Sequence, residues 1–502
     1  MLELSTPIDA ARWLQQRVRG TLHADSRALA PGDGFIAWPG AARDARDYVK
    51  TALEQGADAC LVESTGVDSY QFDSERVASY VGLKQASGPI AAAFFDDPSQ
   101  SLKLFAVTGT NGKTSSAWWL AQALSNLKQV APVPCAFVGT LGMGLVPDAV
   151  STGMTTPDAV LLHRTLRQWL GSGIKACAIE ASSIGLQERR LDGAWIHTAI
   201  FTNLTQDHLD YHATMAAYWQ AKQKLFAWSS LQAAVVNIDD LHGAELARTL
   251  QAGPLEVWTV SCHVSARLRA TDVRYEDGGM RFDVHEAGAC HALQTRLIGT
   301  YNVSNLLGVL GAMRSLGVPL AAAVQACTDL MPVPGRMECF GGSAQPLVAV
   351  DYAHTPDALS HALEALRPLA DQRQGRLWCV FGCGGERDAL KRPLMGVVAA
   401  SKADRVVVTS DNPRGEKPQA IISQILLGLS AKPAVTVEAD RARAIHATLA
   451  QAQARDVVLI AGKGHEDYQE VAQQRLPFSD ADHVRRALGS WQAASAPAGT
   501  AA

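Results

Sequence analysis

Short apolar runs alternate with amphipathic stretches along most of the chain. The run "KLFAV" at 103–107 leads through a glycine turn into "KTSSAWWLAQALSNL", which has the apolar spacing of a helix. Similar apolar runs follow at "IKACAIEAS", "WIHTAIFTNL" and "AAVVNIDD", and helical stretches lie between them. Strands buried on both faces of a parallel sheet read as continuous apolar runs, and helices connect them. The pattern therefore predicts an α/β fold with mostly parallel sheets.

Two interruptions of this rhythm predict three domains. The first hundred residues end at "FFDDPSQS", where the residue before proline is disfavoured in a helix, so we expect a linker there. The second interruption is "MPVPGRMECF", in which Pro332, Pro334 and Gly335 end the preceding helix. We predict a small α/β N-terminal domain, a central parallel-sheet domain, a C-terminal Rossmann-like domain and a flexible tail, over 1–101, 102–334, 335–490 and 491–502.

The composition is that of an ordinary globular protein. Hydrophobic residues make up 47% of the 502 residues and charged residues 19%, and the net charge is −4, so we expect no nucleic-acid partner. Nine scattered cysteines, mostly in apolar runs, are typical of reduced thiols. The start "MLELSTPIDAARW" lacks the features of a signal peptide, and no apolar run is long enough for a membrane span. We therefore predict a cytoplasmic protein.

The stretch "AVTGTNGKTSSA" has the arrangement of a phosphate-binding loop between a strand and a helix. Val107 stands where the usual loop carries a glycine, so this loop is one of the shorter variants. Backbone N–H groups at a helix N-terminus bind phosphate oxygens, while a lysine serves the terminal phosphates and a threonine hydroxyl serves Mg²⁺. The alternative is a glycine-rich turn that only begins a helix. We predict a nucleotide loop made of Gly109, Thr110, Asn111, Gly112, Lys113 and Thr114.

Acidic, histidine and lysine residues follow later strands of the same predicted sheet. Glu180 ends an apolar run, where its carboxylate can reach a hard cation beside the nucleotide phosphates. His208 follows another strand at the same sheet edge, although Mg²⁺ prefers oxygen ligands and spacing alone leaves the role of this histidine open. For His212 we favour a surface or capping role. Lys222 lies on the apolar face of a helix, where either its charge reaches water or CO₂ converts the amine to an anionic carbamate.

Three apolar runs of the C-terminal domain each end in a polar loop: "LWCVFGCGGERD", "RVVVTSDNPRGE" and "DVVLIAGKGHED". Ligands of open parallel sheets bind beyond the carboxyl ends of the strands. Arg387, Arg414 and Lys463 therefore predict one wall of a site for an anionic ligand. Arg414 can hold a carboxylate through two hydrogen bonds and Asp411 can pair with an ammonium group, so a ligand end with both groups satisfies both residues. The alternative is a turn with a solvated arginine.

Together these motifs resemble those of the Mur ligase family. The motifs "TGTNGKT", "TTPD", "EASS", "TNLTQDHLDYH", "AKQKLF", "GTYNVSN", "PGRME", "DYAHTPD", "GCGGERD", "DNPR" and "GKGHEDY" occur in the order seen in that family. The resemblance extends over nearly the whole chain and is strongest to the members that add the third amino acid. So many ordered motifs make chance a poor explanation, even though each alone has a false-positive risk.

The resemblance implies an ATP-dependent ligase of peptidoglycan precursor synthesis, with ATP and Mg²⁺ as cofactors. Such an enzyme phosphorylates the D-glutamate carboxylate of UDP-N-acetylmuramoyl-L-alanyl-D-glutamate, and an amino group then displaces phosphate from the acyl phosphate. In the family, Asp-Asn-Pro-Arg marks the enzymes that add meso-2,6-diaminopimelate. The resemblance also implies that the N-terminal domain binds the UDP-linked substrate, the central domain binds ATP and the C-terminal domain binds the amino acid. We expect a monomer.

The resemblance assigns roles to individual residues. It implies catalytic roles for Lys113, His208 and Lys222, and metal ligation by Thr114, Glu180, His208 and the carbamate of Lys222. Besides the loop, the residues that match ATP contacts are Asn302, Asn305, Arg336 and Asp351. The residues that match contacts to the UDP-linked substrate are Ser26, Ala41, Ala42, Arg43, Thr155, Thr156, Ser182, Glu188 and Arg190. The residues that match contacts to diaminopimelate are Arg387, Asp411, Asn412, Pro413, Arg414, Gly462 and Glu466.

The chain departs from the family pattern where the UDP-linked substrate is expected. Ile184 stands where the family usually has histidine, Glu188 stands where some members have a glutamine contact, and "DARDYV" replaces a common Asp-Gly-His/Arg sequence. These departures concern details of substrate contacts and not the reaction. His354 of "DYAHTPD" is a candidate acid–base group for the incoming amine, but we favour an adenine or structural contact for it.

Other functions fit parts of the pattern. A folylpolyglutamate-synthase-like ligase shares the loop and the lysine, but the extra N-terminal domain and "DNPR" argue against it. A P-loop binding or switch protein would hydrolyse nucleotide without ligation and would need no arginine-rich set of strand ends. A ligase that adds lysine in place of diaminopimelate is a further alternative.

Overall fold

Three main sheets contain the apolar runs of the sequence. The computed structural model describes residues 1–40, 43–72, 75–276, 279–342, 344–429 and 435–491. Sheets of five, ten and six strands follow one another along the chain, and a two-stranded hairpin comes last. The predicted α/β class with mostly parallel sheets is confirmed. Residues 492–502 of the tail predicted to be flexible lie outside the described residues.

The first sheet lies in the N-terminal segment. Its strands, all parallel to their neighbours, have the order β1-β5-β4-β3-β2: β1 (Leu2–Leu4), β2 (Leu22–His23), β3 (Gly34–Ala37), β4 (Ala59–Glu63) and β5 (Val77–Tyr80). The helices of this segment are α1 (Pro7–Gln15), α2 (Val49–Glu54), α3 (Leu83–Phe94) and α4 (Pro98–Ser101), with 3₁₀ turns at Ser26–Ala28, Ala45–Tyr48 and Val67–Ser69. The predicted linker "FFDDPSQS" thus contains the end of α3 and all of α4.

The second sheet has its phosphate-loop strand in the middle. Its order is β15-β14-β13-β12-β11-β10-β6-β9-β7-β8, with β6 (Lys103–Thr108), β7 (Cys135–Gly139), β8 (Gly142–Gly144), β9 (Ala176–Glu180), β10 (Ile196–Phe201), β11 (Ala233–Asn237), β12 (Glu256–Ser261), β13 (Leu268–Glu276), β14 (Gly279–Glu286) and β15 (Ala289–Thr295). The connections contain α5 (Lys113–Ser125), α6 (Ala159–Gly171), α7 (Ser183–Gln187), α8 (Leu209–His212), α9 (Met215–Gln223), a 3₁₀ turn (Lys224–Ala227) and α10 (Leu241–Gln251), and the helices after the last strand are α11 (Tyr301–Ser315) and α12 (Leu320–Thr328).

Antiparallel pairing at both edges of the second sheet is a feature that the sequence analysis did not predict. β13, β14 and β15 pair antiparallel to one another, and β8 pairs antiparallel to β7. The residues of β14 alternate between buried and less buried positions along much of the strand, as expected where only one face of an antiparallel sheet meets the core. These strands were not predicted, because a continuous apolar run indicates only a strand that is buried on both faces.

The third sheet lies in the C-terminal segment. Its order is β16-β17-β21-β18-β19-β20, with β16 (Glu338–Phe340), β17 (Leu347–Asp351), β18 (Leu377–Phe381), β19 (Arg405–Val408), β20 (Val435–Val437) and β21 (Val457–Ala461). All neighbours are parallel except β16 and β17. The hairpin consists of β22 (Tyr468–Val471) and β23 (Gln474–Pro477), and the helices are α13 (Pro356–Gln372), α14 (Lys391–Lys402), α15 (Pro418–Leu426), α16 (Arg441–Gln451) and α17 (Asp480–Gly489), with a 3₁₀ turn at Leu427–Leu429.

Alternate residues of each buried strand enter cores on opposite faces of the sheet. In β6, Phe105 and Val107 pack into one core with α5 and α11, while Leu104 and Ala106 pack into the other. This alternation follows from the two-residue period of a strand. Full burial of a side chain such as Phe105 stabilises the fold by about 1.5–3 kcal/mol. Because β6 is buried on both faces, the loop that follows it starts from a fixed position in the fold.

The three sheets meet through side-chain contacts. Asn111 Nδ2 donates to Asp357 Oδ2 at 3.1 Å, and the Tyr275 hydroxyl donates to the Ala365 carbonyl at 3.0 Å, so the second and third sheets are joined. Helix α3 of the first segment packs against Asp192, where a Cβ at Gly88 would lie 2.1 Å from the carbonyl oxygen. Among the described helices, none is long and apolar enough to cross a membrane. The domain boundaries at 101/102 and 334/335 stay predictions.

Candidate active site

The loop between β6 and α5 has a backbone that requires two glycines. Gly109 and Gly112 have φ angles of +148° and +85°, and a Cβ at Gly112 would lie 2.2 Å from Asn305 Oδ1. L side chains rarely adopt such angles, so glycine is needed at both positions. The first N–H groups of α5 have no intrahelical partner and point out of the helix N-terminus. The loop therefore has the shape and polarity of an anion-binding site.

Two backbone amides of the loop, which were predicted to be available to phosphate, already have hydrogen-bond partners in the protein. The Thr110 N–H donates to the Asn203 carbonyl at 2.9 Å, and the Asn111 N–H donates to Asn203 Oδ1 at 2.9 Å. These two N–H groups therefore hold the loop against the segment after β10, and the N–H groups at the start of α5 are left to face the cavity. Asn203 was missed by the sequence analysis, although it lies in the quoted motif "TNLTQDHLDYH".

Lys113 folds back over its own loop. Its ammonium donates to the carbonyls of Gly109 at 3.0 Å and Thr110 at 2.7 Å. Burial lowers the pKa of Lys113, while the carboxylates of Glu180 and Asp207 oppose that shift. The lysine is thus placed at the loop, with acidic groups near enough to support its charge.

Glu180 lies at the end of β9, next to the loop strand. Its Oε1 accepts from the Thr140 N–H at 2.8 Å and its Oε2 accepts from the Thr140 hydroxyl at 3.3 Å. Burial raises the pKa of Glu180, and the nearby Lys113 charge lowers it. A Cβ at Gly139 would lie 2.1 Å from Glu180 Oε1, so the strand end β7 leaves room for this carboxylate only because it carries glycine. Thr140 is a further residue that the sequence analysis missed.

The two histidines after β10 have different surroundings. His208 has a φ angle of +53°, its Nε2 lies 3.5 Å from Asp207 Oδ2, and burial lowers its pKa, so the ring is able to act as a neutral ligand. His212 is buried and its Nε2 hydrogen-bonds the Ser183 hydroxyl at 3.0 Å. The favoured surface or capping role of His212 was therefore wrong: the hydroxyl partner and the ring of Tyr218 make it a buried structural residue.

Lys222 is a buried amine beside the phosphate loop. Helix α9 begins after Thr214, whose hydroxyl accepts from the Ala217 N–H at 3.1 Å, and Lys222 follows Tyr218 by one helical turn. Lys222 is 1% exposed, and its ammonium donates to the Gly109 carbonyl at 2.7 Å and lies 4.3 Å from the centre of the Tyr218 ring. Burial, and then the Lys113 charge, holds the pKa of Lys222 well below its usual range. The alternative in which this charge reaches water is excluded by the burial.

Two asparagines of α11 line the same cavity as the loop, together with Arg336, which precedes β16, and Tyr352, which follows β17. Asn302 Nδ2 donates to the Ile298 carbonyl at 2.7 Å, and Asn305 Nδ2 donates to Asn302 Oδ1 at 2.9 Å. Arg336 Nη2 reaches the Thr114 hydroxyl at 3.4 Å, and its guanidinium lies 4.4 Å from the centre of the Tyr352 ring. Within the described part of the chain, Arg336 Nε is buried without a hydrogen-bond partner. A buried donor of this kind is the type of group that a ligand completes.

Asp351 ends β17, and His354 follows in the next loop, where both line the same cavity. Asp351 accepts from the N–H groups of Met337 at 2.7 Å and Ala353 at 2.8 Å, and burial raises its pKa. His354 Nδ1 donates to the Tyr352 carbonyl at 2.8 Å, and burial lowers its pKa to about 4. A ring with that pKa is a weak base for an ammonium group. The expected adenine or structural contact of His354 therefore remains the preferred role.

One cavity brings these groups together. It has a volume of about 540 Å³ and is lined by the loop, Glu180, His208, both asparagines of α11, Arg336, Asp351 and His354. This volume lies in the usual range of small-molecule sites. Further lining residues that the sequence analysis missed are Thr140, Thr205, Tyr301, Tyr352 and Asp357. Tyr301, Tyr352 and Asp357 stand inside the quoted motifs "GTYNVSN" and "DYAHTPD", so the motifs contained the signal.

The residues predicted to contact the muramoyl peptide lie beside Glu180. The Thr156 hydroxyl donates to the Glu180 carbonyl at 2.7 Å and accepts from the Ser182 N–H at 3.1 Å. Arg190 Nη1 donates to the Thr156 carbonyl at 2.9 Å, and the Thr155 hydroxyl lies 3.1 Å from that of Thr140. These contacts form a polar rim next to the cavity.

Glu188, one of the departures from the family pattern, makes an ion pair between two segments. Its Oε2 lies 2.6 Å from Lys84 Nζ of α3, and its Oε1 accepts from the Tyr211 hydroxyl at 2.5 Å. The Lys84 hydrogen bond lowers the pKa of Glu188. The ionised carboxylate therefore joins the first and second sheets at this point.

The predicted contacts in the first segment lie in its own loops. Ser26 begins the 3₁₀ turn Ser26–Ala28, and Arg43 Nη1 donates to the Tyr48 hydroxyl at 3.3 Å. Neither residue lines the cavity described above. Ala41 and Ala42 lie outside the described residues.

A second cluster of polar side chains lies in the loops after β18, β19 and β21. Arg414 has a φ angle of +53°, its Nη1 donates to the Gly385 carbonyl at 2.7 Å, and its Nε lies 3.5 Å from Glu470 Oε2. A Cβ at Gly384 would lie 3.0 Å from Arg414 Nη1 and 3.8 Å from Arg387 Cγ, so both arginines border that glycine. Arg387 is exposed. Two of the three basic groups of the predicted wall therefore lie together at adjacent strand ends, whereas the third, Lys463, is fully buried and does not line an open wall.

Acidic and amide groups complete this cluster. Gly462 has a φ angle of +115°, and a Cβ there would lie 2.5 Å from Asp411 Oδ2. Asn412 Nδ2 donates to Glu466 Oε2 at 2.8 Å. The Pro413 carbonyl accepts from the Glu416 N–H at 2.9 Å, which closes the turn of the "DNPR" loop. Every residue predicted to contact diaminopimelate therefore lies in one loop cluster.

The cluster and the cavity are neighbours across Tyr352. One side of this tyrosine faces the Arg336 guanidinium, and its ring lies 5.2 Å from that of His465. A Cβ at Gly335 would lie 2.0 Å from the backbone nitrogen of His465, so the chain entering the third sheet touches the loop after β21. An amino acid held at the cluster thus sits beside, and not within, the phosphate loop region.

Comparisons with known proteins give the same picture over the whole chain. Residues 107–313 match a family model described as Mur ligase middle domain, and residues 335–464 match one described as Mur ligase, glutamate ligase domain. The chain is similar to the UDP-N-acetylmuramoyl-L-alanyl-D-glutamate–2,6-diaminopimelate ligase of Acidovorax sp. (strain JS42), with 60% identity over 488 residues, 97% of either chain.

Solved structures are similar as well. One is a UDP-N-acetylmuramoyl-L-alanyl-D-glutamate–2,6-diaminopimelate ligase with 35% identity and a TM-score of 0.65, and the match covers 94% of both chains. Another is the MurF ligase from Thermotoga maritima in complex with ADP, with 18% identity, a TM-score of 0.64 and coverage of 95% of this chain and 97% of that one. The second likeness supports the fold alone.

Proposed function

The chain belongs to the Mur ligase family, and on that premise we propose that it joins meso-2,6-diaminopimelate to UDP-N-acetylmuramoyl-L-alanyl-D-glutamate with the consumption of ATP. The observation that carries this proposal is the placement of two sites side by side. A cavity with a phosphate loop lies next to a cluster whose arginines and acids match an amino-acid end with opposite charges. The reaction is a step of peptidoglycan precursor synthesis.

ATP is the first substrate. Its phosphates fit at the start of α5, where the N–H groups of the first turn and the Lys113 ammonium offer donors and positive charge. Its nucleoside fits between Asn302, Asn305, Arg336 and Asp351, which line the same cavity. Arg336 Nε, a buried donor without a partner among the described residues, supports a polar ligand at this place.

The residues beside the loop fit Mg²⁺. Glu180 and Thr114 supply oxygen donors, which this ion prefers, and Glu180 keeps lone pairs beyond its two bonds to Thr140. Mg²⁺ usually takes only one or two protein ligands and completes its shell with phosphate oxygens and water, so this small set of oxygen groups suits it. Bound Mg²⁺ would offset charge on the phosphates, held by Thr114 and Glu180, with His208 at a second ion.

Lys222 fits a carbamate. The free amine, and not the ammonium ion, forms a new N–C bond to CO₂ and releases a proton, so a lysine whose pKa is held low is suited to this reaction. Among the described residues no carboxylate forms an ion pair with Lys222, whose amine lies against the Gly109 carbonyl and the Tyr218 ring. As a carbamate it would place a negative charge beside the loop as a further metal ligand.

The UDP-linked substrate brings its D-glutamate carboxylate to the loop. The polar rim of Thr155, Thr156, Ser182 and Arg190 lies beside Glu180, and Thr155 and Ser182 line the same cavity as the loop. We propose that Ser26 and residues 41–43 hold the uridine diphosphate and that the rim orients the peptide. Glu188, already paired with Lys84, contributes here by fixing the first segment against the second sheet.

The reaction needs activation because a carboxylate does not react with an amine near neutral pH. The γ-phosphoryl group of ATP passes to a carboxylate oxygen and the bond to ADP breaks, which gives an acyl phosphate. Lys113 and the amides at the start of α5 offset charge on the transferring group. The amine of diaminopimelate then attacks the carbonyl carbon, and the tetrahedral intermediate expels phosphate as the amide forms.

The far end of diaminopimelate explains the cluster after β18, β19 and β21. Its carboxylate fits Arg414 and Arg387, and its ammonium group fits Asp411 and Glu466. Lysine has the ammonium group but not that carboxylate, so it would leave Arg414 without an anionic ligand. We propose a cytoplasmic location, because the nucleotide substrates are cytoplasmic metabolites and the nine cysteines are free thiols, and we propose a monomer.

Phosphate release in the presence of ATP and the UDP-linked dipeptide tests the proposal. We expect stimulation by meso-diaminopimelate and much weaker stimulation by L-lysine, with the tripeptide product identified by mass spectrometry. Lys113→Met serves as the inactive control, because it removes the charge at the phosphate loop. Equal stimulation by the two amino acids would refute the specificity, and product formation by Lys113→Met would refute the role of the loop.

A further inference from the structure

Lys463 is a buried cation within the second polar cluster, and the reaction described above gives it no role. It follows β21, and its side chain is 0% exposed. Its ammonium donates to Asn412 Oδ1 at 3.0 Å and to Glu466 Oε2 at 2.8 Å, and lies 5.4 Å from the centre of the Tyr468 ring. Because these protein groups surround the ammonium, Lys463 does not face the open site and is not a direct ligand of the substrate.

Lys463 fixes the orientation of the Asn412 amide. Asn412 Oδ1 accepts from Lys463 and from the Glu470 N–H at 2.9 Å, while Nδ2 donates to Glu466 Oε2 at 2.8 Å. An ammonium group is only a donor, so the amide oxygen must face it and the amide nitrogen must face Glu466. The bonds to Glu466 from Lys463 and Asn412 both end on Oε2, so Oε1 is left for an ammonium group of a ligand.

Lys463 also balances the charge of the cluster. Among the residues predicted to contact the ligand and their direct ion-pair partners, the cations are Arg387, Arg414 and Lys463, and the acids are Asp411, Glu466 and Glu470. Equal numbers of each suit a ligand end that carries one ammonium and one carboxylate. Removal of the Lys463 charge would leave an excess acid, and an excess acid favours a ligand end with an ammonium group alone.

We propose that Lys463 is a positioning residue that makes this site select the zwitterionic end of diaminopimelate over the cationic end of lysine. The inference rests on the proposed function, since it concerns the amino acid that the ligase adds. Two effects act together: the hydrogen bonds orient Asn412 and Glu466, and the charge cancels that of Glu466. Glu466 then attracts an ammonium group only together with a carboxylate on Arg414.

Steady-state kinetics of three Lys463 variants test the proposal. Phosphate release is measured at saturating ATP and UDP-linked dipeptide while meso-diaminopimelate or L-lysine is varied. For Lys463→Met we expect the KM for diaminopimelate to rise about 10- to 100-fold, the effect of losing one hydrogen bond to a charged group. We expect the ratio of kcat/KM for diaminopimelate to that for lysine to fall by at least about tenfold, with the KM for ATP unchanged.

The other two variants separate charge from packing. Lys463→Arg keeps the positive charge and should keep most of the selectivity. Lys463→Gln keeps an N–H donor for Asn412 but removes the charge, and should lose the selectivity as the methionine variant does. Thermal unfolding shows which variants fold, and if Lys463→Met does not fold, Lys463→Gln decides by the same ratio.

The outcomes distinguish this inference from the proposed function. If the wild-type enzyme uses diaminopimelate and the neutral variants keep its selectivity ratio, the role of Lys463 is refuted and the function stands. A merely structural lysine would lower kcat/KM for both amino acids equally. If the wild-type enzyme forms no product with diaminopimelate, the proposed function itself fails.

Discussion

Replacement of Arg441 by methionine tests how the loops of the amino-acid cluster are held in place. Arg441 begins α16, and its side chain and that of Asp480 are both 0% exposed. Nε and Nη2 donate to the two carboxylate oxygens of Asp480, each at 2.7 Å. The same guanidinium donates to the carbonyls of Ser410 at 3.1 Å and Ala461 at 2.9 Å, the residues just before Asp411 and Gly462. The guanidinium thus ties two strand ends to α17.

The structure sets the size of the effect. Methionine fills much of the volume of the arginine stem, so the main loss is electrostatic. Removal of one partner of a buried ion pair costs about 3–5 kcal/mol, because the other charge stays buried and unpaired. For a segment of this size each kcal/mol lowers the Tm by roughly 2–4 °C, so the transition of the C-terminal segment should move down by roughly 6–20 °C.

Calorimetry of the full chain and of two variants measures this effect. The single variant Arg441→Met is compared with the double variant Arg441→Met/Asp480→Asn, in which no buried charge is left unpaired. We expect the double variant to recover more than half of the lost stability, since a neutral replacement of both partners is often tolerated. Below the transition, the single variant should show a raised KM for diaminopimelate, because the carbonyls of Ser410 and Ala461 have lost their donor.

Two results would contradict this reasoning. A Tm of Arg441→Met within about 2 °C of the wild type would mean that the ion pair stabilises the fold by less than about 1 kcal/mol. A double variant as unstable as the single one would mean that packing, and not the unpaired Asp480 charge, determines the loss.

The remaining predictions concern Lys222 and Glu416. Lys222→Ala should lower turnover at least about 100-fold, as expected for loss of a group that supports the phosphoryl transfer, and acetate or formate should restore part of it; full activity without additive would remove Lys222 from the site. Arg392 holds the pKa of Glu416 at about 2, below its ordinary value of 4.5. A carboxyl group whose pKa is lowered by folding stabilises the fold above pH 4.5, and that stability is lost as the pH falls from 4.5 towards 2. The Tm of Glu416→Gln should therefore depend less on pH in this window than the Tm of the wild type, and equal slopes of Tm against pH would contradict the prediction.

Much of the site could be predicted because its residues follow strand ends. Glu180 ends a buried strand, Lys113 and Arg414 lie in or just after the loops that follow buried strands, and parallel strands bring such positions to one edge of their sheet. His212 was misassigned because sequence spacing does not show that Ser183 lies within 3.0 Å of its ring. The antiparallel strands β13 to β15 were missed because their buried residues alternate with exposed ones, and the search looked for continuous apolar runs.

Partners that are distant in sequence could not be predicted. The Lys84–Glu188 pair joins two segments, and Arg336 reaches Thr114 across 222 positions of the chain. Nothing local in the sequence indicates these distances, because each pair joins residues that only the folded chain brings together. Arg441 and Asp480 likewise have no motif of their own, although their ion pair lies behind the amino-acid cluster.

The amino-acid sequence by itself determined the α/β class, the family and the polar residues at the ends of the buried parallel strands, because apolar periodicity and glycine turns are local properties of the chain. Only the tertiary structure decided which charge meets which partner, which amides of the loop are already bound, and that Lys463 and Arg441 are buried. These features depend on where separate sheets touch. The energy of a hydrogen bond or ion pair changes strongly when the distance between its partners changes by one ångström, and no sequence pattern specifies that distance.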